Sequence, residues 1–159
     1  MKKLLLIRHA NAVDSFTKSD FERELSEKGK NEIKAVCSKL KNCDFFPDII
    51  LVSSAKRTLQ TAKILAKNLS WDSIEILKNE DLYNSEFKNI LKALNNTPNE
   101  INNLAIIAHN PAITEVVNIL NNSNFSNLPT STIAYFEFNA EKWSLIEFKN
   151  LVSFKMFSP

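Results

Sequence analysis

Short apolar runs alternate with helix-periodic segments along most of this chain, which restricts it to an α/β architecture around a mainly parallel sheet. Leu4 to Arg8, Ile49 to Ser53, Ile74 to Leu77 and Leu104 to Ala108 have the length and aliphatic content of buried strands. Ile33, Val36, Cys37 and Leu40 recur at helical spacing between Ser26 and Lys41. Leu59, Ala62, Leu65, Ala66 and Leu69 do the same between Ala55 and Leu69, and a further helix is predicted near Glu86 to Leu94. Asn110 and Pro111 open a helix carrying Ile113, Val116, Val117 and Leu120. Asparagine caps free N–H groups there, and proline is pre-set for the first helical position. Thr132 to Phe138 and Trp143 to Phe148 alternate as an antiparallel pair joined through residues 139–142. The expectation is a three-layer α/β/α sandwich with an antiparallel C-terminal strand pair.

At 159 residues the chain fits a single domain, 1–159, with room for a proper core. A net charge of +2 argues for neither nucleic acid nor a membrane surface as partner. No apolar run approaches the ~20 residues that span a bilayer. Met1-Lys2-Lys3 and the apolar residues after it stop at Arg8, too soon for a secretory signal. Cys37 and Cys43 have no histidine nearby and no paired spacing, so they read as reduced thiols of a cytoplasmic protein, and no metal site is expected. Gly29 is the only glycine, which excludes a phosphate-binding glycine loop.

The chemistry-bearing residues are scarce and oddly placed. Both histidines, His9 and His109, directly follow a predicted strand, and ligands of open parallel sheets bind beyond the strand C-termini. Positive charge rests on seventeen lysines and three arginines: Arg8, Arg23 and Arg57. Arginine grips phosphate with two parallel hydrogen bonds, as lysine does not. Arg8 precedes His9, and Arg57 falls in the first turns of the helix after Ser53. Helix N-termini add a preference for anions. Two arginines, two imidazoles and two helix starts suit a phosphoryl group. A neutral imidazole can attack its phosphorus, and neighbouring arginines should keep that imidazole unprotonated.

Arg8-His9-Ala10, Ser53-Ser54-Ala55-Lys56-Arg57-Thr58-Leu59-Gln60-Thr61-Ala62 and Ala108-His109-Asn110-Pro111, in that order, resemble the histidine phosphatase superfamily. The segment from Asp20 to Gly29 resembles its small SixA-type phosphohistidine phosphatases. The resemblance implies a phosphoglycerate mutase-like fold and no cofactor. It implies His9 as the nucleophile of a covalent phosphohistidine intermediate that water hydrolyses. Arg8, Arg57 and His109 would bind the phosphoryl oxygens, His109 in protonated form, with Arg23 near the pocket mouth. Ala10 stands where the superfamily usually has glycine.

Mutase-like members carry a glutamate after the third strand to protonate a departing alkoxide. Here the equivalent position is Asn84, with Glu80, Asp81 and Glu86 nearby as alternative acids. An alkoxide needs that proton. Ring-protonated phosphohistidine instead releases neutral imidazole, whose conjugate acid has a pKa of about 6.5. The expectation is therefore a metal-independent phosphohistidine phosphatase acting in signalling, as a monomer, on a phosphotransfer or phosphocarrier protein. The alternatives are a phosphatase of small phosphomonoesters and a non-catalytic phosphate-binding module.

Overall fold

A computed structural model describes residues 1–159. Its sheet has six strands: β1 (Lys2–Arg8), β2 (Ile49–Ser53), β3 (Ile76–Asn79), β4 (Asn103–Ala108), β5 (Ile133–Phe138) and β6 (Leu151–Phe157). Their order is β3-β2-β4-β1-β5-β6, parallel from β3 through β1 and antiparallel at β5 and β6. The helices are α1 (Glu27–Leu40), α2 (Lys56–Leu69), α3 (Phe87–Asn95) and α4 (Ala112–Asn121). Successive strand residues point to opposite faces, and both faces of the sheet are covered. Leu4, Leu6, Leu104 and Ile106 pack with residues of α3 and α4, whereas Leu5, Ile7, Ala105 and Ile107 pack with residues of α1 and α2. The result is the expected three-layer α/β/α sandwich.

Register positions the functional end of the sheet. Arg8 lies opposite Ala108 in the parallel β1–β4 pair, so His9 and His109 leave neighbouring strands at the same height. Val52 lies opposite Ile107, which sets Ser53 beside Ala108.

The local signals hold with small shifts. Ser26 caps α1, its Oγ accepting from the Gly29 N–H at 2.9 Å. A Cβ on Gly29 would sit 2.1 Å from the Asn11 carbonyl oxygen, so the loop after β1 can lie against α1 only because that residue is glycine. The third strand begins at Ile76 rather than Ile74. Pro111 is the N-cap of α4 rather than its first helical residue, and Asn110 Oδ1 accepts from the Thr114 N–H and hydroxyl at 3.3 and 2.9 Å.

One strand is misplaced by the sequence pattern. Trp143–Leu145 and Phe148–Asn150 are 3-10 turns, and the partner of β5 is Leu151–Phe157. Trp143 is fully buried and its indole N–H donates to the Ile101 carbonyl at 2.8 Å, so it anchors a crossing loop instead of a ladder position. Only Trp143 of residues 143–148 is buried, while Leu145 and Phe148 are exposed, so the alternation there reflects neither strand pairing nor a core-facing side. No helix is long and apolar enough to cross a membrane.

Candidate functional site

The strand ends deliver His9, Ser53 and His109 to one place, and α2 adds Arg57 from its first turn. His9 and His109 are both buried, with ring centroids 5.1 Å apart. His9 donates from Nδ1 to the Ala10 carbonyl at 2.7 Å, which leaves a lone pair on Nε2. Arg57 Nε donates to that Nε2 at 3.4 Å. The Ala10 N–H donates to Thr61 Oγ1 at 3.0 Å, so the residue whose carbonyl sets the His9 tautomer is tied to α2 through its amide. The Ala10 methyl is fully buried in the core on the α1 and α2 side of the sheet.

His109 is oriented from both ends. Arg57 Nη2 donates to its Nδ1 at 3.2 Å, and its Nε2–H therefore points to Ser53 Oγ at 2.7 Å. Burial is the chief cause that pushes its pKa down to about 3, and the charge at His9 and the Arg57 guanidinium add to it. Burial thus keeps His109 neutral near pH 7. His9 is lowered to about 4. There too burial leads, the Ala10 hydrogen bond opposes it, and Arg57, Arg8 and Arg23 contribute the electrostatic share anticipated from sequence.

The arginines are placed unequally. Arg57 is buried and lies against both imidazoles. Arg8 donates from Nη1 to the Leu128 carbonyl at 2.6 Å, while its buried Nε has no acceptor. Arg23 touches neither histidine. It donates to the Val13 carbonyl at 3.0 Å and to Asp20 Oδ1 at 3.1 Å, and so reaches the site only through Asp20.

Asp20 and Tyr83 carried no role in the sequence analysis. The Asp20 carboxylate accepts from Arg57 Nη2 at 3.1 Å and from the Tyr83 hydroxyl at 2.8 Å, and its carbonyl accepts from Arg57 Nη1 at 2.7 Å. Desolvation alone would raise its pKa, but the bonds from Tyr83 and Arg23 and the Arg57 charge outweigh it and bring it down to about 2. Tyr83 also packs edge-on against His109, with centroids 5.8 Å apart. Asp20, Arg57, Asn84, Ser85, His109, Asn110 and Pro111 line an open hollow at this point. Glu80 and Asp81 line other hollows on the surface, and Glu86 is exposed.

The sequence model of the histidine phosphatase superfamily (branch 1) matches residues 4–90, more than half of the chain. This chain belongs to the histidine phosphatase superfamily. Among solved structures of the same fold is a candidate phosphohistidine phosphatase SixA from Agrobacterium tumefaciens. It has 23% identity and a TM-score of 0.81, with 97% of each chain covered. The protein histidine phosphatase SixA complexed with tungstate has 21% identity and a TM-score of 0.78, over 98% of this chain and 96% of that one. A mycobacterial glucosyl-3-phosphoglycerate phosphatase is more distant, with 12% identity and a TM-score of 0.64 over 98% and 96% of the two chains. No curated protein sequence matches the chain. The fold shared with these structures thus extends over the whole length of the sheet.

Proposed function

We propose that this histidine phosphatase removes phosphate from phosphohistidine on a partner protein, a phosphotransfer or phosphocarrier domain, by way of a phosphohistidine on His9. The observation that carries the reading is the state of His9. Its Nδ1–H is committed to the Ala10 carbonyl, its Nε2 holds a lone pair, and burial keeps it neutral at physiological pH.

In the first step the Nε2 lone pair of His9 attacks phosphorus and the substrate P–N bond breaks. The bonding electron pair goes to the substrate nitrogen. The substrate ring keeps the proton on its other nitrogen and leaves as neutral imidazole. In the second step water attacks the phosphorus on His9, the new P–N bond breaks, and inorganic phosphate departs. Arg8, Arg57 and His109 hold the phosphoryl oxygens through both steps. The orphan Nε–H of Arg8 gains an acceptor, and His109 Nδ1 takes up a proton as the phosphoryl group arrives, changing from acceptor to donor. Preorganised donors of this kind stabilise a metaphosphate-like transition state electrostatically.

Two features favour phosphohistidine over an ester. Asn84, which cannot protonate an alkoxide, lines the hollow where a general acid would act, while Glu80, Asp81 and Glu86 face elsewhere or solvent. The β3–α3 connection is only residues 80–86, so it forms no cap over the hollow, and a side chain presented by another protein has access.

The test is turnover of phosphohistidine carrier proteins against sugar phosphates, with trapping of labelled phosphate on the enzyme. Faster release from the carriers, with label on wild-type protein and none on His9→Ala, is expected. Comparable or faster turnover of the esters would favour a phosphomonoesterase, and absence of both label and turnover a phosphate-binding module.

A further inference from the structure

Asp20 is a carboxylate placed where a phosphatase has least use for one. Its Oδ2 lies 3.1 Å from the same Arg57 Nη2 that reaches His109 Nδ1 at 3.2 Å, so one guanidinium nitrogen separates the anion from the imidazole pair. Three donors converge on it, from Arg57, Arg23 and Tyr83, yet about half of the side chain remains open to solvent at the mouth of the hollow. A fixed negative charge there repels the phosphate of any substrate. Arg57 and Arg23 offset much of that charge, but the half of the carboxylate that stays open still favours a substrate that brings a donor or a cation to the mouth while its phosphoryl group goes inward.

Phosphohistidine does so. With one ring nitrogen bonded to phosphorus, the other carries the proton of an imidazolium and points away from the phosphoryl group. A sugar phosphate or phosphoserine has no cation in that position. We propose that the Asp20 carboxylate accepts a hydrogen bond from the ring N–H of the bound phosphohistidine, and so selects a phosphorylated imidazole over a phosphate ester. This rests on the phosphohistidine reading above. The pairing keeps the substrate ring protonated, so that P–N cleavage releases neutral imidazole with the proton still on the nitrogen facing Asp20. The contact does with a carboxylate acceptor what an ester-cleaving relative does with a carboxylic acid donor.

Asp20 also braces Arg57, so the test must move something that bracing would not. Single-turnover phosphoryl transfer is followed against pH with a chemically phosphorylated histidine peptide and with p-nitrophenyl phosphate, using wild type, Asp20→Asn and Asp20→Glu. For Asp20→Asn the ratio of kcat/KM for peptide over ester falls about tenfold or more. The alkaline limb of the peptide reaction in the bound state moves to lower pH, because the substrate imidazolium has lost its counter-charge. Asp20→Glu, which keeps the charge, recovers part of the ratio, and thermal melting verifies that each variant is folded. An equal loss on both substrates with an unmoved alkaline limb, or a folded Asp20→Glu whose ratio falls as far as that of Asp20→Asn, would overturn the role for Asp20. Failure of the wild type itself to dephosphorylate the peptide would overturn the underlying phosphohistidine reading instead.

Discussion

The Ser53 hydroxyl lies 2.7 Å from Nε2 of His109 and occupies the one ring nitrogen that Arg57 does not. Ser53 is fully buried at the end of β2, and its backbone carbonyl accepts from the Thr58 hydroxyl at 2.7 Å. Arg57 sets the tautomer by donating to Nδ1, and the hydroxyl, accepting from the Nε2–H that remains, fixes the ring plane of His109. Ser53→Ala should lower kcat/KM about tenfold and cost about 1 kcal/mol of stability. Steady-state kinetics and urea unfolding of the pair of proteins check both, and an unchanged kcat/KM would remove Ser53 from the machinery.

Arg57→Lys should lower kcat/KM by about a hundredfold or more while the fold is kept. The guanidinium serves His9, His109 and Asp20 from three different nitrogens. A single ammonium cannot span those partners or reproduce bidentate phosphoryl contact. Circular dichroism alongside kinetics separates the loss of chemistry from any loss of structure.

Stability should fall as pH drops below neutrality. His9 and His109 ordinarily titrate at 6.5 but are held to about 4 and about 3 in the folded protein. Below pH 6.5 the unfolded chain binds protons that the folded one refuses, so the unfolding free energy declines with falling pH down to those folded values. The slope is at most about 1.4 kcal/mol per pH unit for each histidine. Above 6.5 this contribution is flat. Asp20 acts lower: its stabilisation is complete above 3.8 and is lost on the way down to about 2. Urea midpoints at pH 7, 6 and 5 measure the slope, and a His9→Gln/His109→Gln double variant should flatten it.

Gly29→Ala should destabilise the protein by about 2 kcal/mol, although alanine is the better helix former. The added methyl would meet the carbonyl oxygen, nitrogen and carbonyl carbon of Asn11, all backbone, so the loop after His9 must move. The melting temperature is expected to drop and catalytic activity to fall with it. A variant as stable as wild type would show that the loop shifts freely.

Much of this molecule is legible along the chain because the relevant signals are local. The aliphatic runs before His9 and His109 declare strands, and a residue that follows a parallel strand stands at the ligand-binding edge whatever the strand order. The apolar residues after Ser26 recur at helical spacing and so announce α1. The sequence was misleading at residues 143–148, where alternation was read as a strand. There Trp143 finds its partner in the distant Ile101 carbonyl, and pairing with β5 passes to residues 151–157. No local pattern encodes that choice.

The candidate site divides the same way. The sequence by itself determined the α/β layering, the two imidazoles at strand ends and the set of arginines available to them, because each follows from residue type and short-range periodicity. Only the tertiary structure decided that Asp20 and Tyr83 join Arg57 at the mouth, that Ser53 orients His109, and that burial more than the arginines keeps both histidines neutral. Those facts depend on β4 lying between β1 and β2, and on how much water that packing removes. Proximity across the sheet and desolvation are properties of the folded chain as a whole, and they set the charge of a histidine more strongly than its neighbours in sequence do.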